Sequence, residues 1–187
     1  MSLKTMSVLS ALGADLAAAL DPVRFSERAG IVPDPWQAQL LRSTRRNAIV
    51  NCSRQSGKST ITAVLAVYTA TYIPNSLTLI LDPSERQARE LLRKVKVILA
   101  ALGQAVEQPT DESVLKLEFA NGSRIEALPG KEATIRGFSG VTLLIVDEAS
   151  RVSDELYQAV RPMLAVSGGR IVLLSTPFGR RGFFFQE

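Results

Sequence analysis

The chain has 187 residues, 46% hydrophobic and 21% charged, with a formal charge of +4. That is enough for one globular domain with a full core, and the charge permits a nucleic-acid or phosphate-rich partner without establishing one. With no histidine and a single cysteine, Cys52, the chain excludes Ser-His-Asp triads, a His general base, an internal disulfide and a Cys-rich zinc site, and it fits a reduced, intracellular compartment.

In chain order, Leu9, Leu12, Leu16 and Leu20 are spaced for an amphipathic helix that packs on the domain. The apolar run 8–20 is interrupted by Gly13 and Asp15, so it reads as neither a signal peptide nor a membrane span. Residues 21–35 carry Pro22, Gly30, Pro33 and Pro35 and read as a loop. A short helix over 36–46 leads to a buried strand over 47–53. A helix over 58–72 follows, closed by Pro74. Leu77 to Leu81 form a second apolar strand ending at Asp82-Pro83. Ser84 and Gln87 resemble a capping box that opens a helix reaching Leu102, where Gly103 ends it. Residues 114–119 and 124–128 flank Asn121-Gly122 as a hairpin. Residues 131–140 read as a loop, 142–146 and 170–174 as buried strands, and 153–166 as a helix bent at Pro162. Basic residues gather at Arg42, Arg45 and Arg46, between Arg86 and Lys96, and between Arg161 and Arg181, where solvated helix faces are the ordinary reading.

Short apolar strands alternating with helices predict an α/β fold with a mainly parallel central sheet flanked by helices. Phe183, Phe184 and Phe185 would expose much apolar surface if uncovered, and the expectation is that they lead towards a further domain.

Four groups of residues carry chemistry. Ser53, Arg54, Gln55, Ser56, Gly57, Lys58, Ser59 and Thr60 stand between an apolar strand and a helix, the setting of a phosphate-binding loop. Backbone N–H groups of such a loop cradle the phosphates of ATP, the Lys neutralises charge, and the hydroxyl of Ser59 holds Mg²⁺. Cys52 stands where the usual pattern has its first Gly. Eighty-nine residues after Lys58, the apolar run 143–146 delivers Asp147 and Glu148 to a strand end. Asp147 is suited to hold Mg²⁺ through water, and Glu148 to polarise the attacking water. Ser175 and Thr176 end the next strand, where small hydroxyls can sense the γ-phosphate. Trp36 and Gln37 offer a flat ring and an amide to adenine.

Two arginines join the candidate catalytic set. Arg54 lies inside the phosphate loop, within reach of the γ-phosphate of its own subunit. Arg136 lies in a Gly-containing loop eleven residues before Asp147, and the residues alone leave it open between a surface group and a finger offered to a neighbour.

Taken together, Trp36-Gln37, the Ser53–Ser59 loop with its internal Arg, the Asp147-Glu148 strand and Ser175-Thr176-Pro177 resemble the ATPase domain of the large terminase subunit, the motor that packages DNA into tailed-phage capsids. The resemblance spans positions 36 to 177. It implies a P-loop NTPase fold of the additional-strand, catalytic-glutamate type with a β-hairpin insertion, and ATP hydrolysis with Mg²⁺ driving translocation of double-stranded DNA. It further implies a homo-oligomeric ring on a portal protein, a small terminase subunit as partner, action in the cytoplasm of an infected host, and Arg136 as the finger supplied in trans. On this reading residues 1–35 are a lead-in, 36–177 the ATPase core, and 178–187 the start of a linker towards a nuclease domain not present here, so DNA cleavage is not expected. A helicase-like ATPase and a nucleotide-gated assembly module without turnover are the competing readings. The first lacks room for a second motor domain, and Glu148 speaks against the second.

Overall fold

The computed structural model describes residues 3–129 and 137–187. The elements in order are α1 (Leu3–Leu20), α2 (Pro22–Arg28), α3 (Pro35–Arg42), β1 (Asn47–Asn51), α4 (Lys58–Tyr72), β2 (Leu77–Asp82), α5 (Glu85–Leu102), β3 (Asp111–Glu112), β4 (Lys116–Glu118), β5 (Arg124–Pro129), β6 (Val141–Val146), α6 (Asp154–Ser167), β7 (Arg170–Ser175) and α7 (Phe183–Gln186). Seven strands form one sheet in the order β1-β7-β6-β2-β5-β4-β3. The first five are parallel neighbours, and β4 and β3 continue it antiparallel. The hairpin read from Asn121-Gly122 is therefore the β4–β5 pair of the main sheet, with β3 outside it. Gly122 has φ +80°, and a Cβ there would meet the Asn75 side chain at 2.3 Å, so only glycine fits the turn.

The strands sort their side chains by face. Ile80, Ile145 and Val172 point into one core with Phe25, Leu65, Leu92 and Val95 of the helices. Leu79, Leu81, Leu144 and Leu173 point into the other with Leu156, Val160 and Leu164 of α6. All six residues of β2 are buried, as a central parallel strand with both faces covered requires.

Several expectations fail for identifiable reasons. Residues 21–35 are not all loop, because Pro22 starts α2 at a position where its missing N–H costs nothing, and Asp21 caps the helix through Val23 N (3.0 Å). The strand expected to be buried over 47–53 ends at Asn51 and lies at the sheet's rim, with Ile49 42% exposed. The leucine stripe of α1 does not pack inward: Leu12, Leu16 and Leu20 are all more than half exposed. The Phe run is divided. Phe183 is buried and stacks on Tyr157 at 3.9 Å between ring centroids, whereas Phe185 is exposed.

The N-terminal helices are part of the body. Phe25 is fully buried and meets Tyr68 and Tyr72 of α4 edge-on at 5.5 and 5.7 Å. Phe25→Ala should therefore cost about 3–5 kcal/mol of stability, read from the shift of the urea midpoint at constant slope. A loss under about 1 kcal/mol would mean that α2 is a detachable appendage.

Candidate functional site

Parallel strands place their C-terminal ends on one side of the sheet, and the chemistry-bearing segments leave from there. The loop after β1 needs left-handed backbone at Gln55 (φ 58°) and Gly57 (φ 80°) before α4 begins at Lys58. A Cβ on Gly57 would come within 2.5 Å of Gln37 Nε2. That closeness has a use, because Gln37 Nε2 donates to Ser56 O (3.0 Å) while its Oε1 accepts from Asp34 N (2.9 Å). Gln37 thus braces the loop and caps α3 with one amide. Trp36 lines a separate groove along β1 that ends at Cys52.

Within the loop, Ser53 O accepts from Lys58 Nζ (2.8 Å) and from Ser56 Oγ (2.9 Å). Lys58 is 6% exposed, so its ammonium is held at the loop rather than in solvent. Thr60 follows Ser59 on the first turn of α4.

Ser59 Oγ donates to Asp147 Oδ2 at 2.8 Å, bridging the loop helix to the end of β6. Asp147 Oδ1 accepts from Glu148 N (2.9 Å), which fixes the carboxylate from both sides. Glu148 sits in the left-handed region, φ 47° and ψ 41°, an uncommon conformation for a non-glycine residue and one that collects at functional positions. Its carboxylate accepts from Thr176 Oγ1 (3.3 Å) and lies 3.9 Å from Arg151 Nε. Ser175 and Thr176 divide their work. Ser175 Oγ is buried, accepts from Ser150 N (3.1 Å) and holds the turn after the acid pair, while Thr176 is the hydroxyl that touches Glu148.

Lys58, Ser59, Glu148 and Thr176 line a cleft of about 650 Å³ together with Arg54, Gln87, Lys94 and Arg151. Hard oxygen donors from Ser59 and Asp147, already in hydrogen-bond contact, suit a divalent cation that keeps most of its water. Arg136 lies outside the described residues.

Three residues at the site escape the sequence reading. Arg151 sits three positions after Glu148, and its guanidinium lies 4.3 Å from the Phe178 ring centroid, with Arg181 4.4 Å from the same ring. The Glu148–Arg151 spacing was visible, but its meaning depends on a short 3-10 turn at Ala149–Arg151. Lys94 comes from a helix on which Arg89, Arg93 and Lys96 are paired at the surface with Glu85, Glu90 and Glu112. Asp82 ends β2, is 2% exposed, and its acidity is suppressed, with the pKa pushed up to about 8 by burial first and then by the charges of Asp147 and Glu148.

One parallel strand, β7, stands between the loop strand β1 and the acid strand β6. That interposed strand, with a Glu directly after the acid it shares a neighbour with, places the fold in the additional-strand, catalytic-glutamate class of P-loop NTPases. Residues 49–185 match the family model for the terminase large subunit, T4likevirus-type, N-terminal, and the chain belongs to that family. It is 31% identical to the terminase large subunit of Thermus virus P23-45, an alignment covering 86% of this chain and 37% of that protein, so the chain spans little more than a third of that relative. Among solved structures, the large terminase ATPase domain of Thermus phage P74-26 is similar at a TM-score of 0.74 and 24% identity, covering 87% of this chain and 72% of that one. A DEAD box protein from Methanococcus jannaschii is similar at a TM-score of 0.59 and 18% identity, covering 86% of this chain and 48% of that one. No helix among the described residues is long and apolar enough to cross a membrane.

Proposed function

We propose that this domain hydrolyses ATP with Mg²⁺ and that the turnover drives double-stranded DNA into a viral capsid. The observation that carries it is the Ser59–Asp147 hydrogen bond beside a phosphate-loop backbone, with Glu148 at the next position. In this reading the loop N–H groups and Lys58 bind the phosphates. Bound Mg²⁺ supplies charge neutralisation there, held by Ser59 and Asp147. Glu148 takes the proton of the attacking water, and Thr176, in hydrogen-bond contact with it, reports the state of the site to β7. Arg54 faces the cleft and serves the γ-phosphate of its own subunit. Arg136 is assigned to the neighbour's nucleotide, which requires a homo-oligomeric ring. Trp36 and Gln37 are assigned to the adenine side, Gln37 through the loop it braces. The family supports the partners: double-stranded DNA, a portal protein and a small terminase subunit, acting in the cytoplasm of the infected host.

ATP turnover per subunit, followed against protein concentration with Mg²⁺ present, tests this reading. Turnover should climb with concentration and fall about 10³-fold or more in Arg136→Ala, with ATP affinity kept. Substantial but flat turnover would move the catalytic arginine to Arg54. The likeness to a DEAD box protein supports only a shared fold, and ATP-dependent strand separation would be needed to favour a helicase.

A further inference from the structure

β2 and β6 are hydrogen-bonded parallel neighbours, with Leu81 opposite Val146 and Asp147 N donating to Leu81 O (2.9 Å). The next residue of each strand is an aspartate, so Asp82 and Asp147 emerge side by side. Their surroundings differ. Asp147 has both oxygens engaged, one by Ser59 and one by the Glu148 amide. Asp82 is 98% buried, and its Oδ2 finds no hydrogen-bond partner among the described residues. The other five residues of β2 carry apolar side chains or a single hydroxyl, and a sixth that only packed would serve better without an unpartnered polar oxygen. Asp82 lines a small cavity of about 110 Å³ shared with Ser59, Asp147, Glu148, Gln87 and Lys94. A buried, unpartnered carboxyl oxygen beside the cation-binding pair is an acceptor without its donor.

We propose that Asp82 is an outer-sphere anchor of the nucleotide-borne divalent cation, its Oδ2 accepting a hydrogen bond from the cation's water shell at the site that Ser59 and Asp147 would provide. The inference rests on the reading that Ser59 and Asp147 bind Mg²⁺ with ATP. Contact through water suits the geometry, because no three acidic side chains among the described residues converge closely enough to hold a bare ion. It also suits Mg²⁺, which dehydrates reluctantly and is bound by few protein oxygens. Asp82 is then a positioning residue, and its removal should weaken metal binding without weakening nucleotide binding.

The test uses ATPγS and Mn²⁺ on three proteins: wild type, Asp82→Asn and Asp147→Asn. ATPγS affinity is measured in EDTA and in metal, and Mn²⁺ affinity of the ATPγS complex by electron paramagnetic resonance. Asp82→Asn should bind ATPγS in EDTA as tightly as wild type, yet hold Mn²⁺ about tenfold or more weakly, the usual cost of losing an outer-shell partner. A purely structural role would lower both affinities together. Mn²⁺ affinity within twofold of wild type in Asp82→Asn, while Asp147→Asn loses it, overturns the role of Asp82 and leaves the ATPase reading standing. A wild type whose ATPγS affinity ignores metal overturns both. Should the Asn variant fail to fold in a thermal scan, Asp82→Ser carries the same measurements.

Discussion

Lys58→Ala should abolish measurable ATP binding at micromolar nucleotide. The side chain is 6% exposed, and its ammonium already sits on the loop, donating to Ser53 O at 2.8 Å. The phosphate oxygens of ATP offer stronger acceptors than that carbonyl. Two charge-assisted hydrogen bonds at about 1.5 kcal/mol each amount to about 3 kcal/mol, a loss of roughly a hundredfold in affinity. Ala also leaves Ser53 O with Ser56 Oγ as its remaining partner, so the loop should persist. Titration calorimetry with ATPγS and Mg²⁺ reads the effect. Affinity within a few-fold of wild type would sink the phosphate-loop assignment.

Glu148→Gln should separate binding from chemistry. Gln keeps the length of the side chain and an oxygen for the Thr176 hydroxyl, and it bears the left-handed backbone no worse than Glu. What it loses is the ability to take a proton. General-base catalysis contributes about 10²–10⁴-fold, so turnover should fall by that factor while ATPγS affinity stays near wild type. Single-turnover hydrolysis of radiolabelled ATP checks it. Unchanged turnover would remove Glu148 from the reaction, whereas ATPγS binding with no turnover in wild type or variant would favour the non-hydrolysing assembly module.

The fold and the acid pair were legible because they depend on local pattern. Runs such as 77–81 and 143–146 could only be buried parallel strands, and both ends of α5 were written in residues, Ser84 and Gly103, that meet a backbone need. The failures share a different cause: each depends on what lies next to the residue in space. Pro22 looks like a breaker until Asp21 is seen capping the helix it opens. Nothing in the run 48–50 says that β1 has one neighbour rather than two. The α1 leucines have helical spacing, but periodicity does not say which way the stripe faces. Gln37 offers an amide in the sequence, and its neighbours in space give that amide a bracing task the sequence does not show, at Asp34 N and Ser56 O. Asp82 does end β2, as its sequence reads, and what the sequence leaves out is its neighbour Asp147 one strand away, a pairing set by the β2–β6 register.

The rim position of β1 has a mechanical side. Among the described residues β1 is laddered to β7 alone, and the bonding runs past its end, where Cys52 N donates to Ser175 O (3.0 Å). The phosphate loop and the Ser175-Thr176 turn are therefore carried on one two-stranded slat. That slat has a single seam with the rest of the sheet, the four-residue ladder between β7 and β6. On the far side of the seam stand Asp147 and Glu148. The Ser59–Asp147 (2.8 Å) and Thr176–Glu148 (3.3 Å) hydrogen bonds both cross that seam, so any shear along it would alter the two separations together.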